Sequence, residues 1–412
     1  MTAKKIYYLS LIDRWIGRWF CFLLTIIYRF SNFFQKNEKK QVKNILIIQL
    51  SEMGSIILAY PALVKLTQMY NDANIFLLTF HQQRPLIKIL PFDNKKISVL
   101  SISINSLMVF CYSFLITIYH IWKKSFDIVI DFERFSRFSA VITGLSFAPV
   151  RAGFSRYSDE GLYRGNFLTH AVWYNNYMHI SSNFLSMIKA LEFTPMTQPL
   201  PRLPYDIIEN IPVYPVSKTK IVNIRQKVID HCPKASEYRL WVVFNVSQGN
   251  PLPIRSWPLN YYELLGKKIL MNHRAVIILC GQQDARQNGD YLSKKLGQKF
   301  CWDATDQLDI DELMYLFGCC HILITSDSGM AHLASMTDIP SIVIFGPETP
   351  LRYSPLGKNH TNLFANFSCS PCFSPHNHCL STCNDAKCLK AITPENVYTE
   401  MQRILNNFQY CH

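Results

Sequence analysis

Short, largely apolar runs recur along most of the chain, and each is followed by a longer stretch with helical periodicity. In the first half the runs are 45–48, 74–79, 97–100 and 126–131; in the second they are 241–246, 275–280, 322–324 and 341–345. Runs this short and this apolar are the pattern of strands buried on both faces of a parallel sheet. Parallel neighbours need a crossover, and the helical stretches between the runs supply it. The stretch 105–122 has no formal charge, yet Ser106, Ser113, Thr117 and His120 line one helical face at i, i+7, i+11 and i+14. Set between two predicted strands, it reads as a crossover helix with an apolar outer side, not as a membrane span. The last stretch, 394–408, is again helical and is expected to pack back across the domains.

The first 36 residues follow another rule. Arg14, Arg18, Thr25, Arg29, Asn32 and Lys36 are spaced 4, 7, 4, 3 and 4, which makes one polar stripe on a helix otherwise filled by aromatic and aliphatic side chains. Its longest run without a charge, residues 19–28, is ten residues, where a spanning helix needs about 20. The pattern predicts an amphipathic helix lying on an anionic leaflet, with a single tilted anchor and snorkelling arginines as the alternative. Because the first strand begins only near Asn44, removing residues 1–36 is expected to leave the rest folded.

Composition adds two points. A chain of 412 residues, 49% apolar, is large enough to bury two cores. Its net charge of +13 is uneven: residues 1–44 hold nine basic residues against two acidic ones. Such a balance suits nucleic acid, anionic lipid or phosphorylated substrates; the aromatic residues interleaved with the N-terminal charges favour lipid. Six prolines in 194–217 mark a linker. The expected organisation is a membrane-associating helix (1–42), an α/β domain (43–194), the linker (195–217), a second α/β domain (218–393) and a C-terminal helix (394–412).

The candidate chemistry lies at strand ends. After 322–324 the chain turns through Asp327-Ser328-Gly329 into a helix carrying His332, and a strand that turns into a helix this way can hold phosphate on its first backbone N–H groups. The plainer reading is a βαβ unit whose helix is capped by Ser328. Asp284, after 275–280, is placed either to accept from ribose hydroxyls or to cap a helix. The region from Asp131 to His170 collects Arg134, Arg137, Arg151, Arg156 and Arg164 around Glu133, Asp159 and Glu160, which suits a phosphate or carboxylate. For each of these arginines taken alone, a solvated loop charge is the favoured reading. Five of the 13 cysteines fall in 369–388, with ligand-like spacing at Cys369, Cys372, Cys383 and Cys388, and a structural zinc there is one reading. The other eight sit in apolar segments, as reduced cysteines do.

Three segments, in order, carry a family resemblance. Asp327-Ser328-Gly329-Met330-Ala331-His332 leads into Phe345-Gly346-Pro347-Glu348-Thr349-Pro350; Arg255-Ser256-Trp257-Pro258 stands before it; Gln49-Leu50-Ser51-Glu52-Met53-Gly54-Ser55 opens the first domain. Together they resemble glycosyltransferase family 9, the heptosyltransferases of lipopolysaccharide core assembly, over about residues 43–405. The resemblance implies the GT-B architecture, two Rossmann-like domains facing a cleft. It implies inverting, metal-independent transfer of a sugar, a heptose from ADP-heptose, to a lipid-linked glycan acceptor at the cytoplasmic face of the bacterial inner membrane. Its partners would be a nucleotide-sugar donor, that acceptor and an anionic membrane surface, with no nucleic acid and no catalytic cofactor. Arg255 inherits contact with the donor diphosphate, alongside Asp284, Asp327, Ser328, Gly329 and His332. On the acceptor side stand Ser51, Gly54, Ser55, Arg134, Arg137 and Arg164. Two positions depart from the family pattern: Gln49 replaces an Arg, and Ser55 replaces the Asp proposed as the family's base. A serine hydroxyl is too weak a base at neutral pH, so Glu52, three residues earlier, becomes the candidate catalytic base, gaining basicity from partial burial; Asp131, Glu133 or no base are the alternatives. A scaffold without activity and a transferase using a UDP- or GDP-sugar remain open readings.

Overall fold

The computed structural model describes residues 12–31, 41–50, 52–92, 97–134, 136–155, 163–193, 212–247, 253–373, 381 and 383–409. They form two compact units that divide between Pro212 and Val213, each a parallel six-stranded sheet with helices on both faces. Most of the expected linker, residues 194–211, lies outside the described residues.

The first unit carries strands β1 (Asn44–Ile48), β2 (Asn74–Phe80), β3 (Ile97–Ile102), β4 (Ile128–Asp131), β5 (Val150–Ser155) and β6 (His170–Trp173), in the spatial order β3-β2-β1-β4-β5-β6. Its helices are α1 (Arg18–Ser31), α2 (Met53–Met69), α3 (Arg84–Ile89), α4 (Leu107–Lys124), α5 (Arg137–Leu145) and α6 (Ile180–Ala190). The chain winds outward from β1 to β3, then returns to lay β4 on the other side of β1. With right-handed crossovers, that reversal places α2 on one face of the sheet and α4 and α5 on the other. Burial agrees: Leu46 and Ile48 join Ile118 and Ile121 of α4 and Ile142 of α5 in one core, while α2 packs against α6.

The N-terminal helix is not the detachable element expected. Its Cys21, Leu24 and Tyr28 are buried with Ala140 and Val141 of α5 and with Phe167. Tyr28 Oη donates to the Gly144 carbonyl at 2.8 Å, and Thr25 Oγ1 accepts from the Asn166 N–H at 2.9 Å. Thr25, assigned to the polar outer stripe, thus faces inward. Ahead of α1 a π-helical turn (Asp13–Gly17) brings Asp13 onto the backbone N–H groups of Arg137 and Phe138, both at 2.9 Å. The neighbours decide this: α5 leaves an apolar groove at Ala140 and Gly144, and a Cβ at Gly144 would lie 2.7 Å from Leu24 Cδ1.

The second unit carries β7 (Leu240–Asn245), β8 (Ala275–Cys280), β9 (Cys301–Asp303), β10 (Ile322–Ser326), β11 (Ser341–Phe345) and β12 (His360–Phe364), in the order β12-β11-β10-β7-β8-β9. Its helices are α7 (Lys218–His231), α8 (Leu259–Asn272), α9 (Arg286–Leu296), α10 (Ile310–Phe317), α11 (Gly329–Ala334), α12 (Pro350–Tyr353), α13 (Lys387–Lys390) and α14 (Pro394–Gln409). The winding repeats: outward from β7 to β9, then back to place β10 beside β7. α8, α9, α13 and α14 cover one face, and the buried side of α14 (Val397, Tyr398, Met401, Ile404) belongs to the core of this unit.

Candidate active site

In an open parallel sheet, ligands bind beyond the carboxyl ends of the two strands between which the winding reverses. In the second unit those strands are β7 and β10, and the loops carrying Arg255 and Asp327 follow them. Asn245, the last residue of β7, donates from Nδ2 to Thr325 Oγ1 and to Ser328 Oγ, each at 2.9 Å, tying the two strand ends together. The Ser326 hydroxyl accepts from the Trp257 N–H at 2.9 Å, and Trp257 Nε1 donates to the Ile392 carbonyl at 2.8 Å. A buried Trp257, edge-on to Tyr262, therefore anchors the loop that presents Arg255. The guanidinium of Arg255 reaches Asp327 at 2.8 Å; Asp327 is 6% exposed and Arg255 about a quarter. Two residues predicted to share one ligand thus meet, 72 positions apart in sequence.

The plainer reading of Ser328 does not hold. Ser328 is the residue before α11, but its hydroxyl makes no cap and is engaged by Asn245 and Thr325. His332 is buried one turn into the same short helix. Asp284 lies half-buried in the turn after β8 and does not cap α9, whose N-cap is Ala285. Gly281, at φ +155°, lets that turn pass: a Cβ there would sit 2.3 Å from Ala285 Cβ.

One member of this cluster was missed in the sequence. Glu348, following β11, is 6% exposed and takes Arg352 Nη2 at 3.0 Å. Burial pushes its carboxyl up to about 7; the charge of Asp327 pushes the same way, while Arg352 and Arg255 oppose it. Glu348 therefore shares the electrostatic environment of Arg255 and Asp327. The available signal was a glutamate in the Gly-Pro-x-x-Pro turn with an arginine four residues on.

The first unit repeats the layout at the ends of β1 and β4. Glu133, after β4, is buried, and its Oε1 accepts from the Leu50 N–H at 2.7 Å and from Gln49 Nε2 at 3.1 Å. Asp131 is fully buried and ion-paired with Arg164, which also donates to the Ser136 carbonyl and Ser139 Oγ, both at 3.0 Å. Burial raises the Asp131 carboxyl, with Arg164 opposing. Both alternative bases are thus committed to internal bonds. Glu52 is exposed, which corrects the expectation of partial burial, and it sits directly before α2 at φ +61°. A non-glycine residue held there costs on the order of 1–3 kcal/mol, and such positions cluster at functional sites. Gly54 is buried and Ser55 half-buried in the first turn of α2; Ser51 lies outside the described residues.

The arginines divide otherwise than expected. Arg137 is buried, with Nε on the Tyr163 carbonyl at 2.8 Å and Nη1 3.6 Å from Asp13. Arg164 is spent on Asp131, and Arg151 is a fully buried residue of β5 over the Tyr28 ring at 4.0 Å. All three are buried with their guanidinium groups turned to partners inside the same unit, which makes them structural. Arg134, half-buried, stacks over Tyr174 at 3.5 Å; Arg156 lies outside the described residues.

Among the described residues no group of three or more His, Cys, Asp or Glu side chains is arranged to hold a metal. Cys369 and Cys383 are exposed, Cys372 is half-buried and Cys388 is buried beneath Gly346. Cys383 Sγ is turned to the Asp385 carbonyl. The four do not make a zinc ligand set there.

The profile of Glycosyltransferase family 9 (heptosyltransferase) matches residues 118–381. Lipopolysaccharide heptosyltransferase 2 of Salmonella typhimurium is 27% identical over 101 residues, 24% of this chain and 29% of that protein. Lipopolysaccharide heptosyltransferase 1 of Pseudomonas aeruginosa is 22% identical over 161 residues, 37% of this chain and 44% of that protein. The chain thus spans less than half the length of these curated relatives in alignment. Solved structures match more fully: E. coli ADP-heptose LPS heptosyltransferase II, at a TM-score of 0.65 and 19% identity, over 89% of this chain and 99% of that one. A family 9 transferase from Veillonella parvula gives 0.66 and 17% over the same shares. At such identities the structures establish a common fold. With the profile covering more than half of its length, the chain belongs to glycosyltransferase family 9.

Proposed function

We propose that the protein is an inverting glycosyltransferase that moves a sugar, a heptose from ADP-heptose, to a hydroxyl of a lipid-anchored envelope glycan such as the lipopolysaccharide inner core. It acts peripherally at the cytoplasmic face of the inner membrane. The observation that carries this reading is the Arg255–Asp327 pair at the strand-reversal point of the second unit. In the reaction the acceptor oxygen attacks the anomeric carbon while the bond from that carbon to the diphosphate oxygen breaks on the opposite side. The leaving diphosphate keeps the electron pair and gains negative charge. A cation whose orientation is already set stabilises that charge without reorganising; Arg255, held by Asp327 and by the Trp257 anchor, is that cation. The acceptor proton passes to Glu52, an exposed carboxylate at the family's strand–helix turn.

Ser55 in place of the family's Asp favours a second reading, a binding protein that retains the donor fold without turnover. One experiment separates them. Purified protein is incubated with ADP-heptose, UDP- and GDP-sugars, with and without heptose-deficient lipopolysaccharide, and nucleoside diphosphate release is followed. Acceptor-dependent release from ADP-heptose supports the transferase. Thermal stabilisation by ADP-heptose with no release under any condition supports the binding protein, and release only from another nucleotide sugar corrects the donor.

A further inference from the structure

The two helices flanking α5 are apolar on both sides: each buries one apolar face and exposes a second. A helix on a globular protein turns its apolar stripe inward. On α4 the stripe Met108, Tyr112, Leu115, Tyr119 and Trp122, spaced 4, 3, 4 and 3, faces solvent; Met108 is 83% and Leu115 66% exposed. At the N-terminus Trp15, Trp19, Phe22, Ile26 and Phe30, spaced 4, 3, 4 and 4, also face outward, Trp19 at 66% and Phe30 at 72% exposed. Two hydroxyl residues are turned in: Thr25 takes the Asn166 N–H, and Thr117 Oγ1 donates to the Ser113 carbonyl at 2.7 Å. Both helices are docked on α5, α1 through Ala140 and Val141. α4 docks through the Phe110 and Phe114 rings, each 5.5 Å from Phe138, and through Trp122 Nε1 on the Leu145 carbonyl at 2.7 Å.

We propose that α1 and α4 together form one surface that seats this unit on an anionic lipid bilayer. Exposed apolar faces of this extent need a cover, and charge identifies which. Arg14, Arg18, Arg29 and Lys123 are exposed on these helices, while the one carboxylate there, Asp13, is held by Arg137. A symmetric contact with a second copy would face cation with cation; a leaflet of anionic headgroups does not. Trp15, Trp19, Trp122, Tyr112 and Tyr119 are side chains that settle at the headgroup level of a bilayer. Trp15, Arg18, Trp19, Phe22 and Tyr163 also line a recess of about 550 Å³, large enough for a lipid headgroup whose phosphate meets Arg18. The surface specifies the membrane part of the function proposed above and is independent of the donor chemistry.

The test is flotation of the full chain with vesicles of phosphatidylcholine, with and without phosphatidylglycerol. The parent should float only with the anionic lipid, and less as salt rises. Leu115→Glu and Tyr112→Gln on α4, and separately Trp19→Glu on α1, should each lower partitioning on the order of tenfold, since each removes one apolar group that the bilayer would cover. Their thermal unfolding without vesicles should match the parent, these side chains being exposed. α4 variants that float like the parent would overturn the two-helix surface. A parent that ignores anionic vesicles, or a lipid-free dimer that the α4 variants split, would assign the face to another cover. A chain that floats as expected yet never turns over a nucleotide sugar removes the donor reading and leaves this surface standing.

Discussion

The pair with Asp327 fixes the orientation of the Arg255 guanidinium, and the proposed donor role of Arg255 is tested on that charge. Arg255→Ala should weaken nucleotide-sugar binding by about 1.5–3 kcal/mol, the worth of hydrogen bonds to a charged group, measurable by calorimetry. Glu52 is tested by turnover: Glu52→Gln should lose on the order of 10²–10⁴ in rate with donor affinity intact, while Ser55→Ala should lose little. Equal turnover of Glu52→Gln and parent would place the base elsewhere. Glu348 makes a pH prediction. Its carboxyl titrates near 4.5 in the unfolded chain and near 7 when folded, so between those values the folded state holds more protons. Stability should therefore fall as pH rises from about 4.5 to about 7 and change no further above it on this account. Glu348→Gln should flatten that part of the profile in urea titrations across the range.

The N-terminal helix is where the expectation from sequence and the packing part company. Removing it would uncover Ala140, Val141 and Phe167 and strip the Tyr28 ring from the buried Arg151. Truncation of residues 1–36 should therefore destabilise the unit, not merely release it from lipid. Leu24→Ala should cost about 2–5 kcal/mol, as buried leucines do, and Tyr28→Phe about 1 kcal/mol for its hydrogen bond to Gly144. Chemical denaturation of the full chain reads both. The strand record divides for a related reason. The largely apolar strands β1, β7, β8, β10 and β11 were legible from their runs. β5 was not, because Arg151 interrupts it and its burial depends on acceptors from Ala148 and Phe167. β12 was not either: His360–Phe364 is a half-buried edge with polar residues at three of five positions.

At the scale of the molecule, one winding pattern occurs twice; Glu52 and Glu133 follow the two strands at its reversal in the first unit, and Arg255 and Asp327 those in the second. If ADP binds at the second, a concentration one hundred times its Kd should stabilise the parent by about 2.7 kcal/mol, and Arg255→Ala should lose most of this at the same concentration. The amino-acid sequence by itself determined the parallel α/β class, the main strands and the motif residues Arg255 and Asp327, and it offered Glu52 as a candidate base. These rest on local periodicity and on residue types at short spacing, which the chain carries without folding. Tertiary structure alone decided that Arg137, Arg151 and Arg164 are buried on internal partners, that Glu348 lies in the field of Arg255 and Asp327, and that two helices keep a second apolar side outward. A residue's charge and a helix's two faces are written in sequence; which partner satisfies the charge and which face is covered depend on neighbours far away in the chain.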